Sequence, residues 1–173
     1  MANTVIVVDM QKGFMSPEGS LYCGDAARAI IGPIRRLLEE AERRGDQIIF
    51  TKDTHTPDDK EFQMFPPHCL RGSNDWEIIP ELADIAARHE VVEKSRYSAF
   101  FRTDLEERLA RFGPEKLIVV GDCTDICVMH TVADARNRDY AVEVPANCVA
   151  SFDPEAHQHA LRHMEKILGA KIV

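Results

Sequence analysis

The stretch Leu117-Ile118-Val119-Val120-Gly121-Asp122-Cys123-Thr124-Asp125-Ile126-Cys127-Val128 decides the fold. Its first four residues have the length and β-branching of a buried parallel strand, and Gly121 ends the run. Thr124 or Asp125 can cap a following helix that carries Val128, Thr131, Val132 and Ala135 on one face, which places Cys127 in its first turn. Unpaired N–H groups and the helix dipole favour a thiolate there, and the thiolate is the form of cysteine that attacks carbonyl carbon. Cys127 reads as a nucleophile.

Working outward, the same strand-then-helix alternation recurs along the chain. Strand-like apolar runs fall at 4–8, 47–51, 90–92, 116–120, 141–144 and 171–173, and helical spacing marks 26–44, 103–112, 125–138 and 154–168. Gly45 and Gly169 stand where helices stop, and Pro154 suits a first helical position. The alternation predicts a three-layer α/β/α sandwich around a parallel sheet of about six strands. Ligands in such folds sit at the carboxyl ends of the strands. Asp9, Asp53, His55, Lys94 and Cys127 all follow strand-like runs, so four strands deliver acids, bases and a thiol to one edge. Singly, each has a plainer explanation: turn chemistry for Asp, a solvated charge for Lys, packing for Cys.

Length and composition narrow the class. With 173 residues and no linker or low-complexity run, one domain over 1–173 is expected. An acidic balance, 29 Asp+Glu against 21 Lys+Arg with the basic residues scattered, argues against nucleic-acid and anionic-membrane partners. Five cysteines, and no basic or long apolar leader, point to a cytoplasmic protein with reduced thiols.

Three segments, Val7-Val8-Asp9-Met10-Gln11, Lys94 and Thr124-Asp125-Ile126-Cys127-Val128, resemble the catalytic signatures of the isochorismatase-like cysteine hydrolases. Thr51-Lys52-Asp53-Thr54-His55 and Phe65-Pro66-Pro67-His68-Cys69 are similar to metal-site segments of the nicotinamidases in that superfamily. The resemblance runs from Val5 to Lys171 and implies the isochorismatase-like hydrolase fold. It departs at Asp122-Cys123, where the family usually has small or apolar residues. A cis peptide between those two residues is implied, turning the Cys123 N–H to join that of Cys127 in an oxyanion hole.

The chemistry asks for these residue types in its own right. A free cysteine is mostly thiol at neutral pH, so an amide hydrolase must supply a base and a counter-charge. Asp9 can accept the thiol proton and pass it to the leaving amine, and Lys94 can stabilise the thiolate. Asp53, His55, Glu61 and His68 form a second constellation, whose imidazoles and carboxylates suit zinc first, with Mn or Fe as alternatives, over Mg. Glu61 rests on the resemblance, since its run Asp58-Asp59-Lys60-Glu61 reads otherwise as a solvated loop. By resemblance Phe14, Phe65 and Tyr97 sandwich a pyridine ring whose nitrogen meets the metal. The implied reaction converts nicotinamide and water to nicotinate and ammonia, a step of NAD salvage, on a small pyridine carboxamide substrate. A metal-independent amidase or N-carbamoyl hydrolase and a non-catalytic binding subunit are the alternatives, and a homo-oligomer is left open.

Overall fold

The computed structural model describes residues 2–173; Met1, the first residue of the expected domain over 1–173, lies outside the described residues. Strands β1 (Thr4–Val8), β2 (Gln47–Asp53), β3 (Glu90–Lys94), β4 (Leu117–Asp122), β5 (Val142–Val144), β6 (Val149–Ala150) and β7 (Lys171–Ile172) form one sheet. Its order is β3-β2-β1-β4-β5-β7, with β6 pairing the end of β4, and every pairing is parallel. The sheet therefore has seven strands where the sequence predicts about six. The addition is β6, two residues long and too short to leave a periodic signature.

Helices cover both faces because successive residues of each central strand are apolar, so that both sides of the sheet are. Val5, Val7, Phe50 and Val120 point to a layer containing α2 (Asp25–Arg28), α3 (Ile31–Arg44) and α4 (Pro80–Ala86). Ile6, Val8, Ile49 and Val119 point to the layer of α5 (Leu105–Phe112), α6 (Met129–Asn137) and α7 (Pro154–Lys166). Between β1 and α2, Lys12–Met15 makes a single helical turn, α1.

Several element boundaries differ from the expectations, each for a local reason. The helix predicted over 26–44 is two helices. Pro33 lacks an N–H and fits only a first turn, so α3 starts at Ile31, and it ends at Gly45 in the left-handed conformation (φ 76°). Helix α4, which the sequence reading missed, opens on Pro80. Strands β2 and β3 run two residues further than predicted, through Asp53 and Lys94, which pair directly in the ladder. Strand β4 likewise continues past Gly121 to Asp122.

Gly121 is required by close approach. It has φ 119°, and a Cβ there would lie 2.1 Å from the Val8 carbonyl oxygen. Strands β1 and β4 run side by side from Thr4↔Leu117 to Val8↔Gly121. The chain goes from β1 outward through β2 to β3 and then crosses to β4 on the other side, so the topological switch lies between β1 and β4. A crevice at the carboxyl ends of these two strands is where such a fold places its chemistry.

Candidate active site and metal centre

Asp9 follows β1 directly and takes a left-handed backbone conformation (φ 51°), which aspartate tolerates better than most residues. Thr51 holds it twice: its hydroxyl donates to Asp9 Oδ1 at 2.6 Å and accepts from the Asp9 N–H at 3.2 Å. Gln11, two residues on, clamps the turn to β2, with its amide donating to the Asp53 carbonyl at 2.9 Å and accepting from the Asp53 N–H at 2.8 Å. The same amide nitrogen donates to the Trp76 carbonyl. Sequence reasoning missed Thr51 and Gln11 as parts of the site, although both lie inside the quoted motifs.

Lys94, at the end of β3, joins the two constellations. Its ammonium lies 2.7 Å from Asp9 Oδ2 and 3.4 Å from Asp53 Oδ1, donates to the Arg96 carbonyl at 2.9 Å, and stands 3.5 Å from Cys127 Sγ. Asp9, Lys94 and Cys127 are all buried.

Burial acts on all three. It raises the Asp9 carboxyl, with the Lys94 charge opposing and Asp53 adding. It pushes the Cys127 thiol well up, against the pull of Lys94, with Asp9 and Asp53 reinforcing the rise. For Lys94 burial works against the charge, and the carboxylates of Asp53 and Asp9 outweigh it, holding the ammonium firmly protonated. Burial among carboxylates thus overrides the helix-terminus effect that the sequence suggests, and favours Cys127 as a thiol beside an ion pair.

The turn carrying Cys127 also differs from expectation. Thr124–Val128 is one π-type turn leading into α6, and neither expected cap forms. The Thr124 hydroxyl instead meets His157 Nδ1 at 2.7 Å, and Asp125 accepts from the Ser151 hydroxyl. The Asp122–Cys123 peptide is cis. Cys23, which carried no signal in the sequence, sits with its Sγ 3.3 Å from Cys123 Sγ.

The second constellation converges from β2 and the segment after it. Asp53 Oδ2 is 2.8 Å from His55 Nε2 and 3.2 Å from His68 Nε2, while Glu61 Oε2 is 3.0 and 3.4 Å from the same two nitrogens. Four-coordinate ligands at zinc-like bond lengths stand about 3.4 Å apart, so the cluster is close to ion-ready. Glu61, read in the sequence as the weakest member, is buried in a 3₁₀ turn (Lys60–Gln63), and its Oε1 lacks a hydrogen-bond partner among the described residues.

Both imidazoles are oriented from behind, as ligating histidines usually are. His55 Nδ1 meets Asp59 Oδ2 at 2.8 Å and His68 Nδ1 meets the Pro66 carbonyl at 2.8 Å, which turns both Nε2 atoms to the centre. Asp59 is braced by the Arg96 guanidinium at 3.0 Å. Burial disfavours charge on both rings, yet Asp53 and Glu61 pull His55 up to about 10 and His68 up to about 9. The centre thus demands positive charge, and its donor set fits a divalent ion.

Between the two constellations lies a narrow pocket, lined by Asp53, Glu61 and His68 at one end and Asp122, Cys123 and Cys127 at another. Phe14, Phe65 and Tyr97 line it, as do Leu21, Ile126 and Phe152, which the sequence reading did not single out. Leu21 and Phe152 are apolar loop residues with no motif to mark them, and Ile126 lies inside the quoted Thr124–Val128 segment, where its side chain carried no signal of its own. No helix among the described residues is long and apolar enough to cross a membrane.

The model of the isochorismatase domain matches residues 3–172. The isochorismatase family protein PncA of Bacillus subtilis (strain 168) is 35% identical, over 99% of both chains. Among solved structures, the nicotinamidase PncA from Bacillus subtilis superposes with a TM-score of 0.95 at 37% identity, covering 100% of this chain and 99% of that one. The pyrazinamidase of Pyrococcus horikoshii in complex with zinc superposes with a TM-score of 0.92 at 28% identity, covering 100% and 99%. The chain belongs to the isochorismatase family, with the α/β fold of its nicotinamidase-like hydrolases.

Proposed function

We propose that this amidohydrolase converts nicotinamide and water to nicotinate and ammonia through a thioester on Cys127. The observation that carries the reading is a pocket lined at one end by the Cys127 thiol, which has the buried Lys94–Asp9 ion pair behind it, and at the other by Asp53, Glu61 and His68 of the four-donor cluster. Asp9 takes the Cys127 proton as the sulfur attacks the carboxamide carbon, and Lys94 offsets the negative charge that the transfer leaves. The backbone N–H groups of Cys123 and Cys127 receive the oxyanion, where a single such donor is worth about 3–4 kcal/mol of barrier. Asp9 returns its proton to the departing ammonia, then activates the water that cleaves the thioester.

Asp53, His55, Glu61 and His68 would hold a divalent ion, zinc in the first instance, which would supply a Lewis-acid anchor for the pyridine nitrogen. Phe14, Phe65 and Tyr97 enclose the ring. The reading carries with it a role in NAD salvage and a cytoplasmic setting that keeps the five buried cysteines unpaired.

The test compares kcat/KM for nicotinamide, pyrazinamide and benzamide. A pocket that reads the ring nitrogen discriminates against benzamide by up to ~10⁴-fold, whereas shape alone gives about 10–200-fold. Equal values for benzamide and nicotinamide would remove the nicotinamidase reading and leave a broad amidase or N-carbamoyl hydrolase.

A further inference from the structure

Asp122 is an acid without a partner in the pocket wall. It is 1% exposed, it lines the pocket beside Cys123, and its Oδ2 has no hydrogen-bond partner among the described residues. A buried, unmatched carboxyl oxygen typically forfeits more than a made hydrogen bond contributes. The mechanism above gives Asp122 no task, and the thiols of Cys23 and Cys123 lie within 4.8 Å of its carboxyl.

Its position assigns it to one end of the pocket. The β1–β4 register pairs Val8 with Gly121, so Asp9 and Asp122 are the next residues out on adjoining strands. Cys123 follows immediately, and Cys127 opens into the same space. This is the thiol end, where a substrate's carboxamide must lie, and not the end with His68 and Glu61. Burial raises the Asp122 carboxyl well above its ordinary range; Cys123 and Asp9 add to the rise and Lys94 only opposes it. A carboxyl of that kind is neutral and offers its carbonyl oxygen as an acceptor and its O–H as a donor.

We infer that Asp122 is a further substrate-contacting residue, accepting a hydrogen bond from the carboxamide N–H and so favouring primary amides over esters of the same acid. The inference rests on the amide-hydrolysis reading and deepens it. An ester places no N–H against Asp122, so the acid's acceptor oxygen stays unmatched when an ester binds, and the enzyme discriminates through that unmatched oxygen.

The experiment measures kcat/KM for nicotinamide and for methyl nicotinate in the holoenzyme and in Asp122→Val and Asp122→Asn. The amide-to-ester ratio should fall about 10- to 100-fold in Asp122→Val. Asparagine keeps an acceptor oxygen at the same place and should restore most of the ratio. If Asp122→Val does not fold, as judged by circular dichroism and melting, Asp122→Ala removes the same polar atoms without a branched side chain. A ratio unchanged in the valine or alanine variant overturns the inference, as does a ratio equally depressed in Asp122→Asn. Should the wild-type enzyme leave nicotinamide intact, the nicotinamide reading fails by itself. The ratio is then taken on the primary carboxamide it hydrolyses fastest and on the matching methyl ester, where a fall in Asp122→Val supports the inference and an unchanged ratio overturns it.

Discussion

At Cys127 two environments compete, a cation 3.5 Å away and a buried shell of carboxylates, and the second prevails. In the proposed mechanism the thiol proton therefore leaves only as the carboxamide is attacked, with Asp9 as its acceptor. Cys127→Ala should abolish ammonia release while the protein keeps its fold, since no other group can form the thioester; alanine variants of Cys69, Cys123 and Cys148 should each retain turnover. Full activity of Cys127→Ala, assayed free of host enzyme, would rule the mechanism out. Lys94 is tied to two buried carboxylates, so Lys94→Met should lower kcat and also destabilise the protein by about 3–5 kcal/mol, read as a shift in the urea midpoint. A variant as stable as the parent would mean that Asp9 and Asp53 are neutral in the fold. The groups to which the proposal gives the chemistry were visible in the sequence because Asp9, Lys94 and Cys127 stand just at or past strand-like runs. The groups that hold them were not, since Thr51 reaches Asp9 across 42 residues of chain and such a pairing has no local signature.

Among elements, the β1–β4 pair matters most, because its two carboxyl ends carry Asp9 on one side and the Asp122–Cys127 turn on the other. Gly121→Ala would drive a Cβ to 2.1 Å from the Val8 carbonyl and force a positive φ on alanine. We expect a loss of about 3 kcal/mol or more in urea unfolding and loss of turnover together, as the strands part where the site is assembled. A stable, active Gly121→Ala protein would show that the strand ends can separate without cost. The strands were readable from their β-branched runs and the longer helices from their three-and-four spacing. Helices α1 and α4 escaped, being four and seven residues long and held by tertiary contacts more than by propensity, and the break between α2 and α3 inside the predicted helix went unread.

On the scale of the whole molecule, the four-donor cluster ties β2 to the loop that runs through Glu61 to His68 and closes one end of the pocket. Chelated protein should lose most of its nicotinamide turnover, chiefly through KM, yet remain alkylable at Cys127 by iodoacetamide, because the thiol's own surroundings do not include the cluster's histidines. It should also melt at a lower temperature than the metal-loaded protein, since binding that is specific to the folded state stabilises it. Unchanged kcat, KM and Tm after verified metal removal would count against a substrate-anchoring ion.

By itself the sequence determined the alternation of strands and helices, the parallel sheet, and the edge at which Asp9, Asp53, His55, Lys94 and Cys127 gather. These follow from local periodicity and from the rule that parallel strands all present their carboxyl ends to one side. Only the tertiary structure decided which way the charges fall. Burial leaves Cys127 a thiol, brings Glu61 out of a charged run into the metal-ready cluster, and leaves Asp122 Oδ2 without a hydrogen-bond partner among the described residues. Desolvation and donor geometry depend on what packs around an atom from every direction, and the residues that do so here come from segments far apart in the chain.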